Sequence, residues 1–192
     1  MLDDPQGRLL QLAHPMRLQR SRGFTLIELM VAISIFAILT MLAVPLYSQF
    51  IANTQIRSAT ESIVNGVRSA QTEAVKRNGQ VEFRLDPAVG YAIYLVEEPD
   101  PALRTLNVLE ASPKVAITAD GGLDRVTFNG LGRVLGANPL DGTAPLQQID
   151  VTTTMTNVDS TDLRPLRVVI GSAFGVKACD PKLKPGDPAA CP

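Results

Sequence analysis

The chain contains no tryptophan, a single histidine and two cysteines, and only 5% of its 192 residues are aromatic. One imidazole, His14, cannot supply the paired groups of an acid–base or zinc site, and two thiols without a neighbouring histidine leave a zinc site half built. The acidic residues are scattered among turns and strand-like segments, the pattern of a solvated surface, and no Ser/Lys or paired-carboxylate arrangement stands out. The sequence therefore points away from catalysis and requires no cofactor or metal. An excess of one charge is missing as well: 18 basic against 19 acidic side chains leave a net charge of −1, which implies no strong nonspecific affinity for nucleic acid. There is no internal repeat and no low-complexity tract. Gly130, Gly132 and Gly136 approach the spacing of a nucleotide loop, but they lie in a β-rich stretch with no helix behind them to receive a phosphate.

What the chain has instead is a long apolar run, RSRGFTLIELMVAISIFAILTMLAVPLYSQF at 20–50, in which Glu28 is the only charge between Arg22 and Arg57. At about 1.5 Å per residue this run is long enough to cross a bilayer. An ionised Glu at that depth costs about 3 kcal/mol unless something pairs with it, so the sequence predicts a cationic partner for Glu28. Pro45 lacks a backbone N–H and predicts a kink near the membrane exit. Beyond it Ala52, Ile56, Ala59, Ile63, Val67, Ala70 and Ala74 recur at spacings of three and four, a narrow apolar stripe that continues the same helix. Such a stripe suits a coiled-coil seam or a sheet, and its alanines favour close packing on a sheet. Asn78-Gly79 predicts the helix end.

From residue 80 the pattern changes to short β-rich segments separated by Gly, Pro, Asn and Asp. Strands are predicted at 81–85 and 91–96, joined by the hairpin loop DPAVG, then near 106–109, 115–119, 125–128, 133–135, 149–154 and 166–170. Residues 137–145 and 156–164 read as loops. The expected class is α+β: a long N-terminal helix, half membrane-spanning and half amphipathic, packed against a small antiparallel β head of two sheets.

The residues Gly23-Phe24-Thr25-Leu26-Ile27-Glu28 resemble the processing site of type IV prepilins and type II secretion pseudopilins. The resemblance implies that prepilin peptidase cuts after Gly23, that the new N-terminal Phe24 is N-methylated, and that Glu28 meets the terminal ammonium of a neighbouring subunit. It divides the chain into a leader at 1–23, a transmembrane and assembly half-helix at 24–50, an amphipathic half-helix at 51–79 and a head at 80–192. An ordinary signal would place its apolar core before the cut; here the basic region touches the cut and the apolar helix follows, so the helix is retained. The leader carries Arg8, Arg17, Arg20 and Arg22 against Asp3 and Asp4, which favours a cytoplasmic start and a periplasmic C-terminal head on a single-pass inner-membrane chain. Its removal leaves 14 basic and 17 acidic side chains, net −3, and takes away His14.

The order of β segments, with VTFNGLGR at 126–133 and LRVVIG at 166–171 ahead of a last small hairpin, is similar to the GspH/FimT group of minor pilins and pseudopilins. Membership implies a minor pilin that helps initiate type IV pilus assembly at or near the tip, or a pseudopilin of type II secretion. Its partners would be other minor and major pilins or pseudopilins, prepilin peptidase, the inner-membrane assembly platform and, before assembly, membrane lipid. In an exported head Cys179 and Cys191 are expected to form a disulfide, a tail feature common in pilins and less typical of GspH. A rival role is DNA uptake, because some FimT proteins bind DNA through a Gly-Arg-x-Arg element in the final hairpin. The matching stretch here is Ala173-Phe174-Gly175-Val176-Lys177, with Val in place of the first Arg. Arg164, Arg167, Lys177, Lys182 and Lys184 are the candidate DNA contacts, although Asp180, Asp187 and the terminal carboxylate balance the tail lysines.

Overall fold

The computed structural model describes residues 23–156, 158–171 and 175–192, with the side chains of Leu42 and Pro45 outside the description. The leader up to Arg22, its charges and His14, and Ala173-Phe174 of the final-hairpin motif, lie outside the described residues. The chain divides into two units, Met1–Thr40 and Met41–Pro192. In the first, α1 (Leu26–Arg77) begins. Thr25 starts it as a cap, its Oγ1 accepting from the Glu28 N–H at 3.2 Å, which satisfies one of the orphan donors of the first turn. An 18-residue window of this helix has a mean hydropathy of 2.6 and is wholly unburied, and Phe24 just ahead of the helix is 85% exposed. Apolar surface on that scale requires lipid or protein around it.

In the second unit α1 meets a β head. The apolar stripe is buried as its spacing predicts, with Ala52, Ile56, Ala59, Ile63, Val67, Ala70 and Ala74 all at 1% exposure or less. Gly66 lies between them because Tyr91 packs there: a Cβ at position 66 would stand 2.4 Å from the Tyr91 ring. The helix ends at Asn78, which takes a left-handed φ of 49° while Gly79 N–H returns to Ala74 O at 3.1 Å. Asn tolerates that backbone, and the contact caps an otherwise orphan carbonyl.

Two four-stranded antiparallel sheets follow. The first contains β1 (Val81–Asp86), β2 (Gly90–Leu95), β3 (Arg104–Asn107) and β5 (Arg125–Phe128) in the order β3-β2-β1-β5. The second contains β4 (Val115–Ala119), β6 (Gln148–Thr153), β7 (Leu166–Gly171) and β8 (Gly175–Cys179) in the order β4-β6-β7-β8. Asp86 closes the β1–β2 hairpin, its side chain accepting from Ala88 N–H at 2.9 Å. Phe83, Phe128, Ile93, Ile149 and Leu146 join Ile56 and Ile63 in a core cluster drawn from the helix and both sheets.

Two predicted strands are corrected. The 106–109 segment splits, because Asn107 ends β3 and its Oδ1 accepts from Glu110 N–H at 3.0 Å, capping the short α2 (Val108–Ala111). The 133–135 segment contributes only an isolated Phe128–Val134 bridge, since the Asn129 side chain accepts from both Leu131 and Arg133 N–H and folds 129–133 into a turn. The predicted loop at 137–145 is held from inside: the fully buried Asn138 donates to Arg125 O, Ala144 O and Thr143 Oγ1.

Candidate functional site

The chain offers two candidate regions, the start of α1 and the disulfide-closed tail. At the first, Gly23 and Phe24 precede the helix and are exposed, and a Cβ at position 23 would meet nothing within 4 Å. Thr25 and Glu28 stand in the spacing of a capping box, which places the Glu28 carboxylate in the first turn where the helix dipole favours a negative charge. Among the described residues Glu28 pairs with no cation. The kink expected at Pro45 involves a side chain outside the description, and α1 is assigned as helix through that position.

In the tail Cys179 and Cys191 are disulfide-bonded with Cα atoms 4.9 Å apart. An Asp180–Ala190 bridge and an Asp180 N–H to Ala189 O bond of 2.8 Å close the base of the loop. Of the five candidate DNA contacts, Arg167, Lys177 and Lys182 use their side chains within the fold. Strand register puts Arg167 and Lys177 on the same face of the second sheet, since Arg167 opposes Cys179 and Val169 opposes Lys177. Yet Arg167 donates through Nε and Nη2 to both Asp150 oxygens at 2.7 and 3.0 Å, and this hydrogen bonding raises its pKa. Lys177 Nζ donates to Pro188 O at 3.2 Å, within the tail. Lys182 Nζ donates to Ser160 O at 2.6 Å and Leu163 O at 2.9 Å, so its charge fastens the 156–164 loop. Arg164 uses its backbone N–H, which donates to Asn53 Oδ1 at 2.9 Å. Lys184 is exposed.

Sequence reasoning missed the helix side of this clasp. Gln49 Nε2 donates to Asp162 Oδ2 at 2.9 Å and Asn53 Nδ2 to Asp162 O at 3.1 Å, which fixes the same loop to α1. Amides on an otherwise apolar helix segment were the available signal. Among the described residues there is no cluster of three or more metal-ligating side chains.

Residues 18–44 match the model of the prokaryotic N-terminal methylation motif, and residues 59–173 match that of the type II transport protein GspH. The chain is 33% identical over 92 residues to the type IV major fimbrial protein FimA of Dichelobacter nodosus, covering 48% of this chain and 53% of that one. It is 34% identical over 70 residues to a fimbrial protein of Pseudomonas aeruginosa, covering 36% and 45%. A fimbrial protein of Neisseria meningitidis serogroup B is 41% identical over 59 residues, covering 31% and 34%. The chain thus spans about half or less of the length of the curated relatives it matches. Among solved structures, the type IV minor pilin FimU of Pseudomonas aeruginosa PAO1 aligns over 65% of this chain and 87% of its own at a TM-score of 0.46 and 15% identity. Because the second family model alone spans more than half of the chain, the protein belongs to the GspH family of pilin-like structural subunits and carries the N-terminal methylation motif ahead of that domain.

Proposed function

We propose that the protein is a minor pilin of a type IV pilus, cut by prepilin peptidase after Gly23, N-methylated on Phe24, and assembled at or near the filament tip, where it helps start the filament. The observation that carries this reading is the start of α1: a single carboxylate, Glu28, set in the first turn of a helix whose N-terminal apolar stretch is otherwise uncharged and unburied. Such a carboxylate is costly in lipid and is stabilised by an ammonium brought to it in low dielectric, as the Phe24 terminus of a neighbour would be. Before assembly the helix sits in the inner membrane with the head in the periplasm. Gly23→Val tests the first step: the variant should accumulate as a precursor about 23 residues longer on a gel, and unchanged processing would sink the assignment.

A second reading, a pseudopilin of type II secretion, is favoured by the match to GspH. The disulfide-closed tail weighs toward the pilus. DNA reception is weakened by the occupied guanidinium of Arg167 and ammonium of Lys182. If DNA were the ligand, affinity would fall steeply between about 50 and 200 mM salt and disappear when Lys177, Lys182 and Lys184 become Ala.

A further inference from the structure

A groove of about 510 Å³ runs between the exposed polar face of α1 and the β2–β3 side of the first sheet. Three guanidiniums line it, Arg68 and Arg77 from the helix and Arg104 from the start of β3, against the one carboxylate of Glu73. That carboxylate is occupied. Arg77 Nε donates to Glu73 Oε2 at 2.9 Å and Lys76 Nζ lies 3.5 Å from Oε1, and the Arg77 hydrogen bond holds the carboxyl below its usual range. Among the described residues Arg68 and Arg104 form no ion pair, and Arg68 has only a 3.4 Å contact to Val176 O. Beside them β3 is the outermost strand of its sheet, and all four of its residues are exposed. An unpaired strand edge is a template for a further strand.

We propose that this groove docks an extended acidic segment of a neighbouring filament subunit, which lies along β3 and places carboxylates on Arg68 and Arg104. Charge complementarity selects that occupant. A guanidinium fork matches a carboxylate through two parallel hydrogen bonds, two such forks line the groove, and one of them, Arg104, begins the open β3 edge. A duplex, with a phosphate every few ångströms, would also meet Glu97, Glu98 and Asp100, all exposed, with Glu97 and Glu98 in a cleft that Arg77 also lines. A short acidic strand that keeps to Arg68 and Arg104 presents fewer charges to those carboxylates than a duplex does. The neighbour as source rests on the filament reading above, while the groove's preference for carboxylates does not.

The test uses the full chain in detergent micelles and a fluorescein-labelled octaglutamate peptide at about 50 mM salt, where surface charges are only moderately screened. The peptide should bind, octalysine should not, and Arg104→Glu or Arg68→Glu should weaken binding about tenfold or more with an unchanged melting temperature. Lys184→Ala should leave it as it was. Absence of peptide binding, binding by either Arg variant as tight as wild type, or tighter binding of a duplex at the groove would overturn the proposal. A photo-crosslinking residue at position 104 in cells tests the source: the adduct peptide should map by mass spectrometry to an acidic segment of another pilin or pseudopilin. No adduct, or one to DNA alone, overturns it. Processing at Gly23, read on the same gels, stands or falls separately.

Discussion

Glu82 and Arg84 show how much depends on which partner of a buried pair is removed. The Glu82 side chain is fully buried and receives two bonds from Arg84, at 3.0 and 2.6 Å, while its Oε2 has no partner. Arg84 is 34% exposed and lies 4.7 Å over the Tyr94 ring, so it can reach water if the carboxylate goes. Arg84→Ala, which strands a buried charge, is expected to cost about 3–5 kcal/mol, whereas Glu82→Gln should cost about 1–3 kcal/mol; urea melts of the two variants compare them directly, and the reverse order would refute the asymmetry. At Gly66 the close approach of the Tyr91 ring leaves no room for a methyl, and Gly66→Ala should lower stability by about 1–3 kcal/mol by overpacking.

Single residues also set the pH range. Hydrogen bonds lower the carboxyl pKa of Asp124 (from Arg125), Asp141 (from Thr143) and Asp159 (from Thr161). A carboxyl whose folded pKa lies below its unfolded value contributes stability above that unfolded value and loses it as pH falls. The head should therefore weaken below about pH 4. Burial raises the Tyr91 pKa, so its contribution holds below about pH 10 and is lost above it. Tyr91→Phe should move the alkaline edge of the melting-temperature profile upward; an unchanged edge would mean that another group sets it.

At the scale of elements, the helix and most strands were legible because their signals are periodic. The α1 stripe needs only a spacing of three and four, and all seven of its positions are buried, with Thr60 and Val64 buried beside them. The β3–α2 boundary was not legible, because Leu106, Val108 and Leu109 carry β-like side chains and the decision belongs to one capping bond from Asn107. Of the candidate sites, the cysteine pairing was expected from an exported tail. The roles of the tail cations were not, since Lys182 bonds carbonyls about twenty residues upstream and only the folded register brings them together. Hardly any burial holds the tail: nine consecutive residues, 181–189, are exposed. Cys179→Ser should remove about 3 kcal/mol on the chain-entropy estimate for a loop of this length. It should also free the tail to protease while the sheets stay folded. Equal protease resistance with and without reductant would show that the disulfide does not restrain it.

At the scale of the whole molecule, Glu28→Ala should leave membrane insertion intact, since it removes a charge that costs about 3 kcal/mol in lipid, yet weaken incorporation into the filament. Co-purification with partner pilins at wild-type levels would count against the ammonium pairing. The central claim is that this chain is a processed subunit of a filament built around that pairing. Mass spectrometry of filaments sheared from cells tests it most directly, by reading the N-terminal peptide of this chain in the wild type and in Glu28→Ala. The expected result is a peptide beginning at N-methylated Phe24 in wild-type filaments and its depletion in the variant, with both proteins present in the membrane. Absence of the chain from wild-type filaments, or a peptide that still begins before Gly23, would contradict it.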